Sequence, residues 1–157
     1  MLTLLPPSSF PAVRSEIIER YAHDQVRSGR WQVEGSIAMA ETELDRLLPQ
    51  GVSTPFHDIY EIRCTTTGQV VGTLWTHISE SGGCKSAFIC DLHVAAAFRR
   101  RGYARQALIE LETVLAGTAV SAMALHAFSH NAGAIALYEK LGFRTTSVNM
   151  HKPLNRR

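Results

Sequence analysis

The chain has 157 residues, of which 45% are hydrophobic and 19% charged, with a formal net charge of +2. A single domain of ordinary soluble composition fills that length, and its core needs neither a disulfide nor a metal to close it. The charge is too small to argue for nucleic-acid binding, and no apolar run reaches membrane-spanning length.

The cysteines, Cys64, Cys84 and Cys90, are odd in number and form no CxxC pair. Zinc and a disulfide framework are therefore not expected, and a reducing cytoplasm is the natural setting. The opening Met1-Leu2-Thr3-Leu4-Leu5-Pro6-Pro7 lacks the basic and long apolar regions of a signal peptide. The expectation is one domain over residues 1–157.

Residues 2–5 predict a short first strand. Ser9 suits a helix N-cap, with Pro11 in the first turn and Val13, Ile17, Tyr21 and Val26 at near-helical spacing up to Ser28-Gly29. Ile37, Ala40, Leu44, Leu47 and Leu48 predict a second helix, and Pro49, Gly51 and Pro55 a loop. Strands follow over residues 59–65, 70–78 and 85–94, joined by turns at Thr66-Thr67-Gly68 and Ser81-Gly82-Gly83. A helix from about Gly102 to Gly117, a strand over residues 122–128, a helix capped by Asn131 and closed by Gly142, and a strand over residues 144–152 complete the chain. The order is β-αα-βββ-αβ-αβ, a mixed α/β sheet.

The strongest local feature is Arg99-Arg100-Arg101-Gly102-Tyr103-Ala104, between a strand and a helix. A helix start offers unpaired N–H groups and partial positive charge to an anion. Gly102 and Ala104 let backbone approach a pyrophosphate closely, and the arginines add charge-assisted contacts. The hexapeptide alone fits equally well a solvated basic loop that starts a helix. A nucleic-acid patch is disfavoured, because the cluster is short and lacks interleaved aromatic platforms.

The segment resembles the loop of the GCN5-related N-acetyltransferase (GNAT) family that cradles the pyrophosphate of coenzyme A. Arg99, Gly102 and Ala104 match its fixed positions. The resemblance implies pyrophosphate contacts from the amides of Arg100, Gly102, Ala104 and Arg105, with Tyr103 in the same turn. It also implies that Leu92 and Val94 bind the pantetheine arm and thioester through their backbone. A second stretch, from His126 through Asn131 and Tyr138 to Gly142-Phe143, is similar to the family's other signature. There the asparagine contacts the cofactor, and the tyrosine contacts it and protonates the leaving thiolate.

Two departures stand out. Many members carry a glutamate base on the strand before the phosphate loop, and the matching residue here is Phe88. In ribosomal-protein N-terminal acetyltransferases, a glutamate five residues before the asparagine serves instead. His126 matches that position, and a neutral imidazole is a sound base near pH 7. His93, Asp91 and His77 are weaker candidates. The family also usually ends in two strands, whereas this sequence predicts one. That leaves the acceptor site more open, or leaves a second subunit of a homodimer to complete it. Trp31, Tyr21 and the loop 49–57 are candidates to line it.

The resemblance implies a mixed α/β GNAT fold of about six strands and four helices, its sheet splayed beside residues 85–94. It implies an acetyl-CoA-dependent N-acetyltransferase acting by direct attack of an amine, with no metal, nucleic-acid or membrane partner. The alternative is a non-catalytic acyl-CoA-binding domain of the same fold.

Overall fold

The computed structural model describes residues 1–155. The expected domain over 1–157 therefore ends in Arg156 and Arg157, which lie outside the described residues. Strand β1 (Leu2–Leu4) pairs antiparallel with β2 (His57–Arg63), and the Leu5 amide extends the ladder to the Ile59 carbonyl at 2.8 Å. Two helices lie between them in sequence. Helix α1 (Phe10–Arg27) carries Pro11 in its first turn, where no intrahelical bond is lost, and buries Ile17, Ile18 and Ala22. Helix α2 (Ser36–Leu47) buries Ala40 and Leu44.

Strands β2, β3 (Val70–Ser81) and β4 (Cys84–Val94) form the expected antiparallel meander. Its second turn is Gly82-Gly83, with φ of 59° and 79°, the positive values that a two-residue hairpin of matching twist requires. Helix α3 (Tyr103–Ala116), strand β5 (Val120–Leu125) and helix α4 (Ala132–Lys140) follow. Strand β5 pairs parallel to β4, so the sheet order is β1-β2-β3-β4-β5. The fold is the expected mixed α/β architecture with four α-helices.

Both faces of the sheet are covered, and the strands alternate between two cores. On one face Ile59 and Trp75 pack with Ile17, Ile18, Ala22, Ala40 and Leu44 of α1 and α2. On the other, Ile62, Val71, Leu74 and Ile89 pack with Ala107, Leu108 and Leu111 of α3. Leu74 is fully buried.

Three expectations shift. Four of the six limits of the meander strands lie one to three residues from the predicted ones, because pairing partners rather than propensity set strand ends. Strand β5 ends at Leu125, so His126 and Phe128 fall in the segment after it. Residues 144–152 form no strand, and the sheet has five strands rather than about six. A strand exists only through its ladder, and these residues make no backbone hydrogen bond to the edge of β5.

Gly72 ties the fold to the site. A Cβ there would come within 2.1 Å of the His93 carbonyl oxygen on β4. Backbone on backbone leaves nothing flexible to yield, so Gly72→Ala has to push β3 and β4 apart. The expected cost is about 1–3 kcal/mol in urea unfolding. An unchanged unfolding midpoint would show that the two strands separate freely.

Candidate active site

The cleft begins with a register fault. Trp75 on β3 pairs with Asp91 and Thr76 pairs with Ile89, which leaves Cys90 as an extra residue on β4. Such a bulge bends the strand and re-aims the residues beside it. Ile89 and Leu92 therefore both pack toward α3, although they are an odd number of residues apart, while Cys90 packs toward α1 and α2. The parallel ladder to β5 ends at the Ile89–Leu125 pair. Beyond it the two strands diverge, and a cleft of about 1370 Å³ opens between them.

The phosphate-type loop forms one wall. Gly102 is the residue before α3, with φ of 82°, a left-handed value that glycine adopts without strain. Arg100 also takes a positive φ of 61°, an uncommon conformation for a residue with a Cβ. The first intrahelical bond runs from the Gln106 amide to the Gly102 carbonyl, at 2.9 Å. The amides of Tyr103, Ala104 and Arg105 therefore have no helical partner, and no side chain caps them. No acidic residue occupies that first turn. Each of these residues lines the cleft. The result is a bare, electropositive helix end facing open space.

The arginines divide their work. The Arg99 Nε donates to the Val94 carbonyl at 3.0 Å, tying the loop to the end of β4. The Arg101 guanidinium lies 5.9 Å over the Phe98 ring. Arg100 is exposed and lines the cleft. The Tyr103 side chain turns to Cys64, where hydrogen bonds from Thr67 and Tyr103 bring the thiol down to about 6.

A second bare helix end stands opposite. Asn131 is the residue before α4, as the sequence predicts, but its side chain makes no capping hydrogen bond. It is exposed and lines the cleft together with Ala132 and Gly133. Tyr138, further along α4, also lines the cleft, with its ring 5.8 Å from that of Phe143. Burial, reinforced by the charge of Asp91, raises its phenol above the ordinary tyrosine value. It is protonated at neutral pH.

The third wall comes from α1. Glu16, Arg20 and Asp24 fall four residues apart and so share one helical face. The Arg20 Nη2 donates to Asp91 at 2.7 Å, next to the bulge, and Nη1 lies 3.7 Å from Glu16. Burial raises the Asp91 carboxyl, and Arg20 opposes that rise. Asp24 Oδ1 lies 3.1 Å from His130 Nε2 and so joins α1 to the segment after β5. His130 stacks on Phe128, with ring centres 5.4 Å apart, and Phe128 meets His126 edge-on at 5.1 Å. His126 is thus an exposed ring at the end of an aromatic ladder, beside the point where the strands part.

Every site residue named from the sequence lines this one cleft: Leu92 and Val94 on β4, the loop residues Arg99, Arg100, Gly102, Tyr103, Ala104 and Arg105, and His126, Asn131 and Tyr138 beyond β5. Tyr21, Phe88, His77, Asp91 and His93 line it too. Trp31 is not among the lining residues and instead packs edge-on against Tyr21 at 5.5 Å. The loop 49–57 does not reach the cleft directly. Its last residue, His57, stacks on His77 at 4.2 Å and accepts the Trp75 indole N–H at 3.0 Å. Sequence reasoning missed Arg20, Asp24 and His130. The four-residue spacing of Glu16, Arg20 and Asp24 was the available signal, a charged stripe beside an apolar one. Among the described residues no group of three or more His, Cys, Asp or Glu is placed to hold a metal ion, and no helix is long and apolar enough to cross a membrane.

A sheet that splits beside two bare helix ends, with an arginine-rich glycine loop leading into one of them, is the arrangement of an acetyltransferase fold. The chain belongs to the acetyltransferase (GNAT) family, whose model matches residues 20–143. It is 32% identical over 154 residues to the uncharacterized N-acetyltransferase YycN of Bacillus subtilis, with 98% of each chain covered. It is 30% identical over 145 residues to a second such protein there, YdgE, covering 92% of each. The crystal structure of YycN superposes with a TM-score of 0.93 over 99% of both chains.

The site's electrostatics set a pH dependence. Burial, then the charges of Arg20 and Arg99, lower His93 to about 4. The unfolded chain, with an ordinary histidine near 6.5, binds that proton first as pH falls. Stability contributed by neutral His93 is thus complete above about pH 6.5 and is lost progressively toward pH 4. Replacing His93 with Gln should flatten the acid side of the stability profile by about 1–3 kcal/mol between pH 7 and 4. Urea unfolding at several pH values measures it, and parallel profiles for the two proteins would refute the assignment.

Proposed function

We propose that the chain transfers an acetyl group from acetyl-CoA to a primary amine by direct attack, within one domain in the cytoplasm. The observation that carries this reading is the divergence of β4 and β5 beyond Ile89 and Leu125, flanked by the uncapped starts of α3 and α4. The unpaired amides, the positive φ at Gly102 and the absence of acid in the first turn fit a pyrophosphate. The amides of Arg100, Gly102, Ala104 and Arg105 would hold it, with Arg99 and Arg100 adding charge, while the main chain of Leu92 and Val94 holds the pantetheine arm. Asn131, with its side chain uncommitted, offers an amide to the same ligand.

Acetyl-CoA supplies an activated carbonyl carbon and a thiolate leaving group. The chain's residues handle the protons and the charge. An amine is protonated near pH 7, and His126 takes its proton, so that the nitrogen lone pair can attack the carbonyl carbon as the C–S bond breaks. Main-chain donors at Leu92 or Val94 stabilise the developing oxyanion. The Tyr138 hydroxyl passes its proton to the departing sulfur, and its raised pKa keeps that proton available. No cysteine has the base arrangement of an acyl-enzyme nucleophile. Phe88, where a carboxylate base is expected, motivates the alternative of a domain that binds acyl-CoA without turnover.

Turnover of acetyl-CoA against a panel of amines separates the two readings, and two variants test the roles. Tyr138→Phe keeps the ring and deletes only the hydroxyl. The turnover rate should fall about 10²-fold, while the KM for acetyl-CoA and the melting temperature stay nearly level. Full activity in the folded variant would leave Tyr138 as a packing residue. His126→Ala should lower the rate about 10²-fold near pH 7 and less at alkaline pH, where free amine is common. An unaltered pH–rate profile would remove His126 from the mechanism.

A further inference from the structure

An amine acceptor has more protons to lose than one base accounts for. A primary ammonium gives up one proton before its nitrogen can attack. Once the N–C bond forms, the nitrogen is positively charged again and sheds a second proton before the amide is complete. His126 takes the first in the reading above. Tyr138 becomes an acceptor only after it has protonated the sulfur. The second proton therefore needs another group.

The cleft holds one that is built for the task. His23, His77, His93, His126 and His130 all line it. Among the described residues His130 alone of these is paired with a carboxylate, its Nε2 lying 3.1 Å from Asp24 Oδ1. A carboxylate only accepts hydrogen bonds, so the contact puts the ring proton of neutral His130 on Nε2 and leaves a lone pair on Nδ1. Among the described residues Nδ1 has no hydrogen-bond partner, and the side-chain polar atoms that are both sealed and unpaired are Arg20 Nε and Thr73 Oγ1. Nδ1 is thus open to water. The Asp24 contact fixes the rotation of the ring, and stacking on Phe128, 13° from parallel, fixes its plane. His126 is exposed and has no carboxylate partner.

Charge explains why the pairing matters. Burial, then Arg20 and Arg99, bring His93 down to about 4, so an unaided imidazolium is disfavoured in this cleft. A carboxylate facing the ring reverses that preference. The pair also lies near the proposed acid. Burial first, and then the charges of Asp24 and Glu16, raise the Asp91 carboxyl against Arg20. The charge of Asp91 in turn adds to burial in raising Tyr138. Asp91 is therefore within electrostatic reach of both Asp24 and Tyr138.

We propose that His130, oriented and charge-balanced by Asp24, is a second proton acceptor, and that it takes the proton which the acceptor nitrogen loses after attack. The proposal rests on the acetyl-transfer reading above. The steps balance. His126 removes one proton from the ammonium, and the nitrogen lone pair forms the N–C bond. His130 Nδ1 takes the second proton. The C–S bond breaks with its electron pair to sulfur, which Tyr138 protonates. The His130 imidazolium returns its proton to the Tyr138 oxygen through solvent, and the His126 proton goes to bulk water. Nitrogen has lost two protons, coenzyme A has gained one, and one is released. Asp24 touches no reacting atom and is a positioning residue.

Methoxyamine separates the two histidines. It is neutral at pH 7, where an alkylamine is protonated, yet its adduct still has a second proton to lose. In steady-state kinetics with acetyl-CoA, His126→Ala should be slow with the alkylamines of the panel and near wild type with methoxyamine. His130→Ala should fall about 10²-fold with both, at a level KM for acetyl-CoA. Imidazole in the buffer should restore turnover to His130→Ala, which it does not do for a purely structural loss. Nitrogen NMR should find the His130 proton on Nε2, and Asp24→Asn should shift it toward Nδ1 and slow turnover about tenfold or more. Undiminished turnover of His130→Ala overturns the proposal, as does a loss that imidazole leaves untouched. Should His130→Ala fail to fold, full turnover of Asp24→Asn, or a wild-type ring protonated on Nδ1, refutes it. A wild type that acetylates no amine refutes the acetyl-transfer reading and this proposal with it, whereas the other adverse outcomes, in an active wild type, refute the proposal alone.

Discussion

Five ladder pairs join β4 to β5, and then the ladder stops. Everything else about the cleft follows from that stop. Two parallel strands that continued to pair would bury their main-chain groups in each other and leave no room between the layers. The extra residue at Cys90 bends β4 at the position where pairing fails. Arg20 of α1 then grips Asp91, the next residue. The bulge is thus held by a largely buried ion pair, and removal of one partner of such a pair leaves an uncompensated charge, typically at about 3–5 kcal/mol. The strand that diverges is anchored, not loose.

The same geometry governs the charges. Both helix starts are bare where they meet the cleft, so each directs the positive end of its dipole inward. Arg20, Arg99 and Arg100 add full charges to the same space. Cationic protonation states are disfavoured there: burial first lowers His93, and Arg20 and Arg99 lower it further. An anionic ligand relieves this imbalance. The carboxylates of the cleft lie on the α1, α2 and β4 side, where Asp91 pairs with Arg20, and none occupies the first turn of α3.

Much of the phosphate side was legible because its physics is local. Gly102 needs its left-handed φ, and the helix behind it needs its apolar face, and both requirements are written within a few residues. The α4 unit was legible for the same reason, from Asn131 to Gly142. The bulge at Cys90 was not, because an extra residue on one strand has meaning only against its partner. Arg20 and Asp24 were overlooked because an amphipathic helix is read first for its apolar stripe, and the charged stripe beside it passes for a solvated surface. The strand over residues 144–152 was read correctly as a pattern and wrongly as an element. Alternation makes a segment competent to pair, but it does not supply the ladder.

The acceptor side shows how one substitution redistributes a site. Phe88 pairs across from His77, which stacks on His57, which in turn accepts the Trp75 indole N–H. A carboxylate at position 88 would bring charge into this aromatic group, close to the antiparallel half of the sheet. A phenyl ring there removes the charge and extends the aromatic surface instead. His57 has its Nδ1 committed as an acceptor, and burial and the neighbouring His77 both lower its pKa, so its ring favours the neutral form. The antiparallel half therefore presents an aromatic, stacking surface. Proton removal in the proposed reaction then falls to the parallel half, beyond the end of β5, where His126 sits on its ladder of Phe128 and His130. That ladder reaches α1 through Asp24, on the same helical face as the arginine that holds the bulge. The opening between the strands and the candidate base beside it are thus positioned by one stripe of α1.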